Sequence, residues 1–145
     1  MFTWTHEHTV NTTATPAQIW RVWSNPAAWP IVDPGIEVVT LTGPFDTGTS
    51  GTLRPTGGPT FRFRLMKVTE GQGFRDRTFL PLTWLDFIHA YEPAISGHPA
   101  RITYRIEMRG WLTPLFRRVI GSGIVRDLPT NMQGLAQHAE GLAIA

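Results

Sequence analysis

The sequence contains no cysteine. Disulfide scaffolds, cysteine-ligated zinc, iron–sulfur clusters and thiol nucleophiles are therefore excluded. Lysine is nearly missing as well: of 13 basic residues Lys67 is the single lysine, which leaves 12 arginines. Charged residues make up only 17% of the chain, where a soluble domain carries about a quarter. No run of about eighteen apolar residues occurs, so no membrane insertion by a helix is expected. A strand-like pattern begins at residue 2 with no basic stretch and apolar run before it. No secretory signal is read there, and the expectation is a cytoplasmic protein.

What is present is aromatic. Trp 6, Phe 8 and Tyr 2 in 145 residues are too many rings for a chain without a core, and the length points to a single domain over residues 1–145. The pI of about 9.7 at a formal charge of +2 follows from arginine keeping its proton as pH rises. Most arginines sit in alternating segments rather than in one cluster. An outer, solvated face accounts for them, and no nucleic-acid partner is expected.

Residues 2–12 alternate, with Phe2, Trp4, His6, His8 and Val10 on one side and Thr3, Thr5, Glu7 and Thr9 on the other, the pattern of a half-buried strand. Thr15 and Pro16 then read as the N-cap and first residue of a helix. Ile19, Trp20 and Trp23 form its stripe, and Asn25-Pro26 ends it. Ala27-Ala28-Trp29 reads as a second short helical turn, stopped by Pro30. Six further strands follow, over residues 36–42, 49–54, 60–69, 74–80, 84–92 and 101–109. The last alternates most cleanly, with Ile102, Tyr104, Ile106 and Met108 on one face. A helical region from about 114 to 143 carries an apolar stripe that includes Ile120, Ile124, Met132 and Leu135. Pro129 predicts a kink near 125–129. Gly121 and Gly123 are poor helix residues, which makes sense if a side chain there would fill space needed by something else. Seven antiparallel strands and a long terminal helix make an α+β domain, with the helix as the only element large enough to cover the apolar face of the sheet.

The stretch Ala14-Thr-Pro-Ala-Gln-Ile-Trp-Arg-Val-Trp-Ser-Asn-Pro-Ala-Ala-Trp-Pro, followed by Asp33-Pro-Gly-Ile36, resembles the entry of the START-related, Bet v 1-like superfamily. The stretch Arg126-Asp-Leu-Pro-Thr-Asn-Met-Gln-Gly-Leu with Glu140 behind it resembles that family's last helix. The resemblance extends over essentially the whole chain and is to the polyketide cyclase/dehydrase-like branch of a superfamily whose bacterial members also include lipid-transport-like proteins. It implies a helix-grip fold: a curved seven-stranded antiparallel sheet around the C-terminal helix, two short helices at one end, and a cavity between them. It also implies a hydrophobic small-molecule partner such as a lipid or polyketide. Cyclase or aromatase chemistry is the alternative, since fold alone does not decide. No cofactor is expected, and a monomer or a homodimer is open.

In that frame His6 and His8 face inward on one strand. Two same-face imidazoles suit zinc, but a third ligand is needed and only His89 is placed to offer one, so the reading is a polar cavity lining rather than a metal site. His89, Tyr91 and Tyr104 lie on inward faces, where they would either fix the polar end of a ligand or serve as general base and proton donor. Trp29, at the corner before Pro30, is the ring best placed for ligand contact, and Phe63, Ile120, Ile124 and Met132 complete the apolar lining. An inward Arg54 would hold a carboxylate or stabilise an enolate; a surface position is its ordinary alternative. No phosphate loop, Gly-x-Ser-x-Gly elbow or glycosidase-type carboxylate pair is present.

Overall fold

A computed structural model describes residues 1–143. Seven strands form one antiparallel sheet: β1 (Phe2–Thr12), β2 (Ile36–Leu41), β3 (Ser50–Pro55), β4 (Phe61–Thr69), β5 (Gly73–Leu80), β6 (Thr83–Glu92) and β7 (Ala100–Gly110). Their order is β1-β7-β6-β5-β4-β3-β2. Every neighbouring pair is hairpin-linked except β1 and β7, which join the two ends of the chain's strand region in a register from Phe2↔Gly110 to Thr12↔Ala100. The concave face is closed by α1 (Pro16–Trp23), a 3-10 turn (Pro26–Ala28), α2 (Trp29–Val32) and α4 (Ser122–Glu140), with α3 (Thr113–Phe116) leading into α4. This is the helix-grip arrangement.

Local chemistry explains the elements. Thr15 Oγ1 accepts from the Gln18 amide at 3.2 Å while Gln18 Oε1 accepts from the Thr15 amide at 2.8 Å. This reciprocal cap satisfies two donors that a helix start leaves free. Ile19, Val22 and Trp23 are buried beneath α1, and Leu128, Met132, Leu135, Ala136 and Ala139 form the buried stripe of α4. Glu140, at the end of α4, accepts from Thr12 Oγ1 (2.8 Å) and the Thr13 amide (3.0 Å), clasping the last helix to the end of the first strand.

The helix irregularity falls earlier than the proline predicted. α4 runs through Pro129, and the departure from α geometry is a π-helical turn at Arg117–Gly121. A Cβ on Gly121 would stand 3.0 Å from the Trp4 indole, so glycine is what lets α4 and β1 approach there. Gly123 has no such neighbour, meeting only the Arg126 side chain at 3.7 Å. The space kept free by Gly121 is thus taken by the protein's own tryptophan.

Arg75, Arg77 and Arg105 lie on the outer face and are paired. Arg75 and Arg77 hold Asp86 at 2.7 and 2.8 Å, and Arg75 and Arg105 hold Glu107 at 2.7 and 2.9 Å. The guanidinium of Arg77 also lies 4.0 Å from the Trp84 ring centroid, a cation–π contact.

Candidate functional site

Register places four side chains in one row across the concave face: His8 on β1, Tyr104 on β7, His89 on β6 and Phe74 on β5. The rings of α1 and α2 descend onto this row. His89 stacks on Phe74 with centroids 3.8 Å apart and planes at 8°, meets the Tyr104 ring edge-on at 4.5 Å, and is covered by Trp23 at 5.9 Å. Its Nδ1 lies 3.3 Å from the Phe74 carbonyl oxygen, so that nitrogen carries the proton. Burial outweighs this bond and pulls the His89 pKa down to about 3. The imidazole is neutral at any ordinary pH, which makes it a poor general base near neutrality.

Tyr104 Oη accepts a hydrogen bond from Trp23 Nε1 at 3.0 Å. Burial raises its pKa well above the usual phenol range, and the nearby carboxylates of Asp33 and Asp76 push in the same direction. Asp33 follows α2; it accepts from the Gly35 amide at 2.8 Å and from Asn131 Nδ2 of α4 at 3.0 Å. Burial raises its pKa too.

Asp76 is the residue that the sequence reading missed. It lies on β5 opposite Phe87 and Leu65, on the inner face between Phe74 and Thr78, and is only 6% exposed. No hydrogen bond to it occurs among the described residues, although no fully occluded side-chain oxygen or nitrogen there lacks a partner. Its carboxyl oxygens therefore keep a little accessible surface and have no hydrogen-bond partner in the protein. Burial, with a smaller contribution from the Asp86 charge, lifts its pKa to about 8. Asp76 is thus a protonated carboxylic acid at neutral pH, able to donate a hydrogen bond. The signal for it was the phase of the strand: with Arg75 and Arg77 outside, period two puts position 76 inside.

The other candidates separate into several environments. His6 is half-buried, lies parallel to Trp4 at 6.4 Å, and lines an open cleft of about 820 Å³ with Pro114, Arg117, Arg118, Ser122 and Val125. His8 is half-buried and divided from His89 by the strand that carries Tyr104. No set of three or more His, Asp or Glu side chains among the described residues is placed to hold a metal. Tyr91 donates to the Ala14 carbonyl at 2.8 Å, so its hydroxyl anchors the start of α1 and does not meet Tyr104. Trp29 is built into the ring cluster, stacked on Phe74 at 5.7 Å, tilted against Phe63 at 6.3 Å, and donating to the Trp23 carbonyl at 3.0 Å. Met132 is fully buried in the core, while Ile120 and Ile124 are half-buried at its edge. Arg54 is a correction: it lies on the solvent side, about half exposed and paired with Glu37 at 2.8 Å, because its place in β3 points it away from the concave face.

A curved seven-stranded antiparallel sheet around a long terminal helix, with short helices after the first strand, is the helix-grip fold of the Bet v 1-like superfamily. The chain belongs to the polyketide cyclase/dehydrase and lipid-transport family, whose model matches residues 1–140. Among solved structures it is similar to the Zhui aromatase/cyclase of a Streptomyces species (TM-score 0.77, 13% identity, 96% of this chain and 94% of that one). It is also similar to truncated norcoclaurine synthase from Thalictrum flavum (TM-score 0.72, 16% identity, 98% and 96%). Ara h 8.0201 is a third (TM-score 0.68, 15% identity, 97% of each chain). At these identities the likeness is one of fold. A search of the curated proteins finds no match.

Proposed function

We propose that the chain is a single domain that binds a hydrophobic small molecule between the sheet and α4, and that Asp76 holds the polar end of that molecule. The observation that carries the reading is the unpartnered, buried carboxyl. A carboxyl buried without a hydrogen-bond partner in the protein is expensive, and an acceptor on a bound ligand would supply that partner. At neutral pH Asp76 is protonated, His89 neutral and Tyr104 a phenol. Such a lining suits an apolar molecule with a carbonyl or hydroxyl acceptor and disfavours a charged one.

A cyclase-type reaction is the second reading, and the same residue favours it. An acid whose pKa is about 8 sits near the working pH, where a proton-transfer group is most effective. The family and the aromatase/cyclase fold neighbour support both readings. Native mass spectrometry of protein from its own host tests them. The expected result is a retained apolar ligand, kept by Asp76→Asn, which still donates a hydrogen bond, and lost by Asp76→Leu. Retention by the leucine variant would sink the reading. A ligand that is converted by the natural protein but only held by Asp76→Asn would establish the enzyme.

A further inference from the structure

β5 and β6 are joined by a two-residue turn, Pro81-Leu82, closed by Leu80↔Thr83. Leu82 is the only non-glycine residue with positive φ among the described residues, at 51°. Pro followed by a left-handed residue is the type II arrangement, whose third position takes glycine or asparagine. Leucine there is strained, and its side chain is 70% exposed. The fold thus holds an apolar side chain out in water at a position where a small polar one would be more stable.

Leu82 is not alone. Its carbonyl accepts from the amide of Trp111, itself 63% exposed. Phe2 lies across the same end of the sheet, paired with Gly110 and accepting from Thr113 Oγ1 through its carbonyl. Leu115 and Val119 are exposed on the turns that follow. Residues 1–6, 77–85 and 108–126 contain no Asp or Glu, yet carry Arg77, Arg109, Arg117, Arg118 and Arg126. Acids border these segments, at Glu7, Asp86, Glu107 and Asp127, but the charges left without an ion pair within them are arginines. Arg109, Arg117 and Arg118 have no ion-pair partner among the described residues; Arg77 and Arg126 pair with Asp86 and Asp127.

We propose that this end of the molecule docks on the surface of an anionic lipid bilayer, with Leu82 and Trp111 entering the interface and Arg109, Arg117 and Arg118 meeting the headgroups. Exposed tryptophan and leucine ringed by arginine match the polarity gradient of a bilayer surface. A second copy of the chain is disfavoured as the occupant, because a two-fold contact would set arginine against arginine. The proposal is independent of what lies inside the sheet, and its readout is membrane association, not ligand content.

Co-sedimentation with phosphatidylcholine vesicles, with and without phosphatidylglycerol, at low and high salt, tests it. The protein should sediment with the anionic vesicles only, and less so as salt rises. Leu82→Asn combined with Trp111→Ser should weaken the association about tenfold or more. Arg117→Gln with Arg118→Gln should weaken it about fivefold per charge removed. Asparagine accepts the left-handed turn, so Leu82→Asn alone should keep the natural circular dichroism spectrum, have a thermal midpoint no lower than the natural one, and still bind less. Failure of the natural protein to bind anionic vesicles would overturn the proposal. So would equal binding by the Leu82→Asn, Trp111→Ser variant, or a dimer in light scattering that Leu82→Asn dissociates.

Discussion

The two ends of the concave face are built on opposite plans. At the α1 end, Trp20, Trp23, Trp29, Phe45, Phe74, His89 and Tyr104 form a continuous ring cluster with centroids 3.8–6.4 Å apart. The ring nitrogens of Trp23, Trp29 and His89 are bonded to Tyr104 or to backbone. At the Phe2 end, a π-helical turn replaces regular helix, a cleft stands open beside His6, and Phe2, Leu82 and Trp111 project into solvent. One end spends its aromatics on stability; the other leaves apolar side chains exposed, which is the surface the proposed bilayer docking would use.

That contrast can be broken at four strengths. Trp23→Ala should be the most damaging change, because it removes a 2% exposed indole and the donor to Tyr104; a loss of about 3–5 kcal/mol is expected in denaturant titration. Leu135→Ala, under α4, should cost roughly 2–5 kcal/mol in the same assay, and Ile120→Ala clearly less, since Ile120 is only half-buried near the open end; equal losses would erase the difference between the ends.

Asp76 gives a pH signature of intermediate size. Its folded pKa, about 8, lies above the ordinary carboxylate value of 3.8, so its contribution is complete below pH 3.8 and is lost as pH rises through 8. The thermal midpoint of the natural protein should therefore fall relative to Asp76→Asn between about pH 5 and pH 8. His89 acts in the other direction. Its pKa is lowered from 6.5 to about 3, so its contribution is present above pH 6.5 and is lost as pH falls toward 3; His89→Phe should flatten that acid limb. Parallel midpoint curves for natural and variant proteins would refute either assignment. The smallest effect belongs to Thr15→Ala, which removes one half of the α1 cap and should lower stability by about 1 kcal/mol.

Much of the fold was legible because alternation and helical spacing are local. The inward set Ile102, Tyr104, Ile106, Met108 could be read from period two alone. The site was less so. His89 looked like an available base, but what disables it is Trp23 and Phe74, rings delivered from elements distant in sequence. Arg54 looked able to turn inward until its pairing with Glu37 on β2 was seen. Asp76 was passed over because a lone acid among arginines reads as part of a solvated face, although the strand's own phase assigns it to the interior. The helix irregularity followed the Trp4–Gly121 contact rather than Pro129, and a contact spanning more than a hundred residues leaves no trace in local sequence.

The pairing of β1 with β7 has a consequence in time. The strand Phe2–Thr12 is synthesised well before its backbone partners, which all lie between Ala100 and Gly110. At ribosomal speeds of 5–20 residues per second, it waits roughly 5–20 s for them. Until then an alternating, threonine-rich segment has an unpaired edge on both sides. Contacts of such length also place the chain among slow folders. The clasp of Glu140 on Thr12 and Thr13 needs residues made later still, so it can close only after β1 has its partner.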